Sequence, residues 1–160
     1  MRTLKQWLTL YGESHQNPAN IAIHKICVPT IVFTAFGLLW TIPVPDGIRN
    51  LLGINGVGLV NAATLAFLLG MAFYLRLSGI MALGMGIMCA GFLALLVWLQ
   101  ATGAHILQLS VVIFVVAWIG QFIGHKIEGK KPSFFEDLQF LLIGPAWTLA
   151  ALYRGLGIRY

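Results

Sequence analysis

Of 160 residues, 59% are hydrophobic and only 9% charged, for a mean hydropathy of +0.86. A soluble domain of this length has one core and cannot hide uncharged stretches this long, so the chain reads as an integral membrane protein folded as a single domain over residues 1–160. The formal charge of +5 lies in short connections, where topology and anionic headgroups account for it and no nucleic-acid partner is needed.

The amino end begins polar, and no small-residue cleavage pattern follows a short apolar core, which argues against a cleaved signal peptide. Leu4, Trp7, Leu8 and Tyr11 recur at helical spacing beside Arg2 and Lys5, which predicts a short helix on the membrane surface that stops at Gly12. Asn17-Pro18 reads as a cap followed by proline at the first helical position. His24 then falls on the opening turns of the first span, and Pro29 predicts a kink just inside the membrane.

No charged residue occurs from Cys27 to Pro45 or from Asn50 to Leu75, and from Leu77 to Gly124 the only histidine, Asp, Glu, Lys or Arg is His105. A spanning helix needs about 20 apolar residues, so the third stretch holds two spans, divided by the turn residues Gln100-Ala-Thr-Gly103. Spans are predicted at 26–43, 51–75, 79–99 and 105–125. A fifth apolar stretch, Leu138 to Tyr153, is short for a span and carries Gly144-Pro145, which predicts a kink or break. Ser133-Phe-Phe-Glu136 reads as a capping box opening that stretch, which leaves Glu136 and Asp137 structural. The predicted fold is all-α: four transmembrane helices, an N-terminal interfacial helix and a C-terminal re-entrant or interfacial helix.

Ala82, Gly86 and Ala90, and again Gly120 and Gly124, recur at four-residue spacing, as at closely packed helix interfaces. Asn55 and Asn61 are expected to bond a neighbouring helix, and Cys27 and Cys89 to be small buried residues outside any disulfide framework. Arg2, Lys5, Lys25, Arg76, Lys126, Lys130 and Lys131 fall on one side of the predicted topology and Arg49 on the other, which puts the amino terminus and the 126–133 loop in the cytoplasm. Arg154 and Arg159 join that side if the fifth stretch dips in and returns. The compact loops favour a bacterial inner membrane.

The four histidines separate by depth. A helix from His105 to His125 rises about 30 Å, so these two lie at opposite faces and cannot share one metal; His105 is a cap or interfacial residue. His15, His24 and His125 all fall at the predicted cytoplasmic face. If the fourth span continues a turn past His125, with Gly129 as its stop, then Trp118, Gln121, His125 and Glu128 share one helix face. Glu128 would supply an oxygen ligand or hold a ligand histidine by its second ring proton, and Asn20, four residues before His24, would support a ligand or simply cap. Imidazole and carboxylate at a polar rim suit iron, zinc or manganese. The same three histidines also read as interfacial residues satisfied by headgroups or backbone, and spacing alone does not choose.

Two segments carry a resemblance. Tyr11-Gly-Glu-Ser-His15-Gln-Asn17-Pro18-Ala-Asn20-Ile-Ala-Ile-His24-Lys-Ile-Cys-Val-Pro29 and Trp118-Ile-Gly-Gln121-Phe-Ile-Gly-His125-Lys-Ile-Glu128-Gly-Lys-Lys-Pro132 resemble the paired signatures of the membrane 2-hydroxy fatty acid dioxygenase family, with similarity from Leu4 to about Leu152. The resemblance implies an Fe(II)-dependent α-oxidation in which a 2-hydroxy fatty acid reacts with O2 and loses one carbon. It implies His15, His24 and His125 as catalytic iron ligands. Glu128 is a further candidate ligand, although eukaryotic relatives differ in spacing after the histidine. Asn20 and Gln121 take supporting positions. A 2-hydroxy acid can chelate iron through its hydroxyl and one carboxylate oxygen, with its alkyl chain among helices or membrane lipids. Lys126, Lys130 and Lys131 would attract the acid head, a role that competes with plain positive-inside placement.

Two rivals come from other classes. Haem held between His24 and His125 would make an electron-transfer protein, and histidines serving as interfacial anchors would fit a non-enzymatic scaffold or lipid carrier.

Overall fold

The computed structural model describes residues 2–45, 47–48, 60–129 and 140–160. Among the described residues every regular element is helical: α1 (Leu4–Gly12), α2 (Pro18–Trp40), α3 (Ala62–Leu77), α4 (Gly79–Ala101), α5 (Ile106–Glu128) and α6 (Ile143–Gly155). The helices α2, α4 and α5, each of 23 residues, are long and apolar enough to cross a membrane, and α3 is a shorter apolar helix. Of the expected span at 51–75, residues 51–59 lie outside the described residues, as does Asn55.

The local signals explain the helix ends. Thr3 caps α1 through a reciprocal pair with Gln6: the Gln6 backbone N–H donates to Thr3 Oγ1 at 3.3 Å, and the Thr3 N–H to Gln6 Oε1 at 2.8 Å. Asn17 caps α2 by accepting from the Ala19 N–H at 2.9 Å, and Pro18 fills the first position, where no intrahelical donor is needed. Gly129 closes α5 with φ +75°, a left-handed cap, and Gly103 turns the chain between α4 and α5 with φ +76°.

Three expectations change. Gly12 ends α1 as expected but without a left-handed cap, and a Cβ there would meet Trp147 Nε1 at 3.5 Å, an ordinary contact. Asn61 caps its own helix, accepting from the Thr64 N–H at 3.0 Å, because it sits at the open end of α3 where orphan N–H groups need an acceptor. Among the described residues the helix of the fifth stretch starts only at Ile143, so Gly144-Pro145 stands at its beginning and not in mid-helix. It lies in the first turn of α6, where proline's missing N–H removes no helical hydrogen bond.

The helices α2 and α5 form the central pair and run antiparallel. Asn20 and His24 near the start of α2 meet Gly124 near the end of α5, and Gly37 meets Ser110 at the other end. A Cβ on Gly124 would collide with Asn20 Oδ1 and lie 3.3 Å from the His24 ring, and one on Gly120 would lie 2.7 Å from Cys27 Sγ. The small residues that spacing alone marked for packing therefore set the approach of these two helices. Ala90, by contrast, is exposed.

At the far end, Trp40 Nε1 donates to Gln100 Oε1 at 2.8 Å and ties α2 to α4. At the near end, Tyr74 Oη donates to the Leu142 carbonyl at 2.6 Å and Tyr153 Oη to the Ile80 carbonyl at 3.0 Å, which fixes both ends of α6 against α3 and α4. The apolar stripe of α1 (Leu4, Leu8, Tyr11) is buried within the bundle's core rather than turned outward. Outward faces carry exposed leucine, isoleucine and valine, as lipid contact requires.

Two glycines test this packing. Gly124→Ala should lower stability by about 1–3 kcal/mol, the range for overpacking, whereas Gly91→Ala, at an exposed position with open space around it, should not lower it. Thermal unfolding of the two variants in one detergent measures the difference.

Candidate metal centre

Three different segments deliver the histidines. His15 lies in the short connection between α1 and α2, His24 two turns into α2, and His125 in the last turn of α5. They are 5%, 1% and 9% exposed, so this is an interior cluster rather than a rim of anchors. Ring centroids are 4.3 Å apart for His15 and His24, 5.0 Å for His24 and His125, and 5.9 Å for His15 and His125. One nitrogen from each lies within 4.8 Å of the others.

The hydrogen bonds choose the tautomers. His15 Nδ1 is 2.8 Å from the Tyr11 carbonyl and His24 Nδ1 is 3.0 Å from the Asn20 carbonyl. A carbonyl only accepts, so each Nδ1 carries the proton and Nε2 keeps the lone pair a cation requires. Tyr11 also stacks on the His15 ring at 4.3 Å with an interplanar angle of 7°, and Trp147 lies against it at 5.4 Å. The rings are held both by their protons and by their faces.

Three imidazoles, two of them oriented by backbone carbonyls, form a nitrogen donor set that fits a transition-metal ion. Glu128 stands outside this group. Its Oε1 accepts from the Gln16 N–H at 2.9 Å, and its Oε2 from the Asn17 N–H and from Asn20 Nδ2, both at 2.9 Å. The carboxylate therefore clamps the segment between His15 and His24 onto the end of α5. It also sits at the amino end of α2, where the helix dipole favours negative charge.

Beside His24 and His125 opens a pocket of about 50 Å³, with Val28, Ile31, Val32 and Leu141 in its apolar wall. Trp118 and Gln121 also line it, and among the described residues Trp118 Nε1 and Gln121 Oε1 are buried without a hydrogen-bond partner. Buried polar atoms left this way are rare enough to require a reason.

Of the residues singled out from sequence, the fold brings His15, His24, His125, Asn20, Gln121 and Glu128 to one end of the α2–α5 pair. His105 begins α5 at the opposite end and is exposed. Lys126 is exposed beside His125, while Lys130, Lys131, Glu136 and Asp137 lie outside the described residues. Sequence reasoning missed Trp147, for which a lone tryptophan in an apolar stretch gives no signal. It saw Tyr11 only as part of a helix stripe.

Replacing any one of His15, His24 or His125 with alanine should abolish stoichiometric metal binding, and His105→Ala should leave it intact. Glu128→Ala, which unclamps the loop but keeps the three nitrogens, should weaken binding by about 10–100-fold without abolishing it. Metal titration of purified variants, read by elemental analysis, separates these outcomes.

Residues 1–156 match the family described as 2-hydroxy-palmitic acid dioxygenase Mpo1-like. The 2-hydroxy-palmitic acid dioxygenase MPO1 of Saccharomyces cerevisiae (strain ATCC 204508 / S288c) is 29% identical over 159 residues, covering 96% of this chain and 82% of the yeast protein. No solved structure matches the chain. The chain belongs to the Mpo1-like family.

Proposed function

We propose that this protein is an Fe(II)-dependent dioxygenase of the membrane that shortens 2-hydroxy fatty acids by one carbon, with its site at the cytoplasmic face. The observation that carries the reading is the buried triangle of His15, His24 and His125 in a chain of this family. One O2 balances the reaction: the 2-hydroxy acid yields the acid one carbon shorter, carbon dioxide and water. Bound Fe(II) would supply the one-electron chemistry through which O2 reacts with such a substrate.

The chain's own groups have defined tasks in this scheme. The Tyr11 and Asn20 carbonyls hold the protons of His15 and His24 on Nδ1, which would leave the Nε2 lone pair of each to hold the ion. The Trp118 indole N–H donates to the carboxylate of the acid, and the Gln121 amide bonds its 2-hydroxyl, which gives both orphaned groups a partner. The apolar wall around them keeps water from the reacting carbon. Lys126, with Lys130 and Lys131, would draw the anionic head toward this end. Arg2 and Lys5 at the start of α1, Lys25 in the opening turns of α2 and Arg76 in the last turn of α3 fall toward the same end, which supports a cytoplasmic placement.

The rivals fit less well. With His24 and His125 only 5.0 Å apart and His15 packed against both, no slot remains between them for a haem. A scaffold has no use for three buried, mutually oriented imidazoles.

Protein purified in detergent, loaded anaerobically with Fe(II) and given 2-hydroxypalmitate and O2, should form the acid one carbon shorter, detected by mass spectrometry. His125→Ala should abolish the product; a single alanine change at His24 or His125 that left activity intact would overturn the assigned ligands. Trp118→Phe, which removes the N–H and keeps the ring, should raise KM with iron content unchanged. Acid should release the ion, because protons compete for the same nitrogens.

A further inference from the structure

A second cavity, of about 160 Å³, lies between α2, α3 and α4 and against the start of α6. It shares Val32, Leu141 and Pro145 with the pocket beside the histidines, so the two spaces adjoin at three apolar residues, of which Leu141 is itself exposed. The polar side-chain atoms on its walls are the Tyr74 hydroxyl and the Cys89 thiol. The hydroxyl is already committed to the Leu142 carbonyl at 2.6 Å. Such a space offers a polar ligand nothing, and an apolar cavity of about 150 Å³ is known to stay dry and accept benzene. The space therefore suits about six carbons of hydrocarbon.

We propose that this cavity is the subsite for the first half of the substrate's alkyl chain, entered from the histidine pocket past Val32, Leu141 and Pro145. The inference rests on the proposed 2-hydroxy acid substrate and adds where its tail goes: inward between α2 and α3 rather than outward along the lipid-facing surface. On that reading Trp118 and Gln121 take the head, and the pocket beside the histidines, at about 50 Å³, is too small for the chain as well. A long chain must leave through its apolar wall, and the larger compartment lies directly behind that wall. Selectivity for long acids then resides in α3, at Ala66, Phe67, Gly70 and Met71. Gly70 is the most informative of these, because a Cβ there meets nothing within 4 Å and an added side chain would grow into open space.

Two measurements test the subsite, one of them without turnover. A 2-hydroxyhexadecanoic acid carrying a mid-chain diazirine, photolysed with the full-length protein, should label Ala66, Phe67 or Met71, and free 2-hydroxypalmitate should compete. Labelling confined to the exposed Leu65, Leu68 and Leu69 on the other face of α3 would overturn the proposal. So would labelling displaced by phospholipid but not by the free acid, since the cavity would then hold a bilayer lipid chain. In the second measurement, Gly70→Leu should lower kcat/KM for 2-hydroxypalmitate at least about tenfold, the effect of two methylenes losing their burial, and leave 2-hydroxybutanoate unaffected. Gly70→Ala should show a smaller loss in the same direction. An equal loss for both acids would overturn the tail assignment. Labelling inside the cavity with no turnover of any 2-hydroxy acid would keep the subsite and defeat the catalytic reading, whereas turnover with lipid-facing labelling would do the reverse.

Discussion

At Gly124 the backbone of α5 passes so near α2 that a methyl group would strike the Asn20 amide and press on the His24 ring. That contact fixes where His125, one residue further along, stands relative to His24. Two long helices with larger residues at this crossing would sit farther apart, and their imidazoles would no longer share one small volume. Gly120, one turn earlier and against Cys27, keeps the helices close over more than a single point, so the approach is a property of the helix pair rather than of one side chain.

The third histidine is not on either helix, and a loop residue needs its own restraint. Glu128 supplies it. Its carboxylate spans the Gln16 and Asn17 N–H groups and the Asn20 amide, all at 2.9 Å, and so binds the last turn of α5 to the first turn of α2. Charge-assisted bonds of this kind are stronger than neutral ones, and three on one carboxylate hold a segment that would otherwise fray. The Tyr11 ring then covers His15 from the α1 side and Trp147 from α6. The cluster thus depends on four elements at once, and α1 and α6 contribute support although neither carries one of the three histidines.

How much of this was legible beforehand follows from which signals are local. Helix ends depend on nearby residues, so Asn17-Pro18, Gly103 and Gly129 announced themselves, and the depth argument that separated His105 from His125 needed only the rise of a helix. The grouping of three histidines followed from topology, because two apolar helices of fixed length leave little choice about which ends meet. Roles that depend on side-chain direction across elements were not legible. Glu128 was seen on the correct face but not as the acceptor of the Gln16, Asn17 and Asn20 N–H groups, since its partners lie more than 100 positions away in sequence. Gly144-Pro145 looked like a break because a glycine–proline pair has the same appearance at a helix start as in its middle. Only the position of Leu142 as the cap distinguishes them.

The donor set also carries an electrostatic consequence. Imidazole ligands bring no negative charge, so a divalent ion among the three histidines would keep its full charge in an interior site, where an uncompensated charge is costly. Glu128 offsets part of that charge from the rim, but its oxygens are engaged by three N–H donors. An anionic ligand is the missing compensation. On the proposed reading, the carboxylate of the 2-hydroxy acid supplies it, and ion and acid should each bind more tightly in the presence of the other, by the same factor. An interior cluster beside a small pocket with two unsatisfied polar groups is then a site completed by its substrate. On the proposed reading this gives a physical reason for a cluster of three histidines with no carboxylate among them.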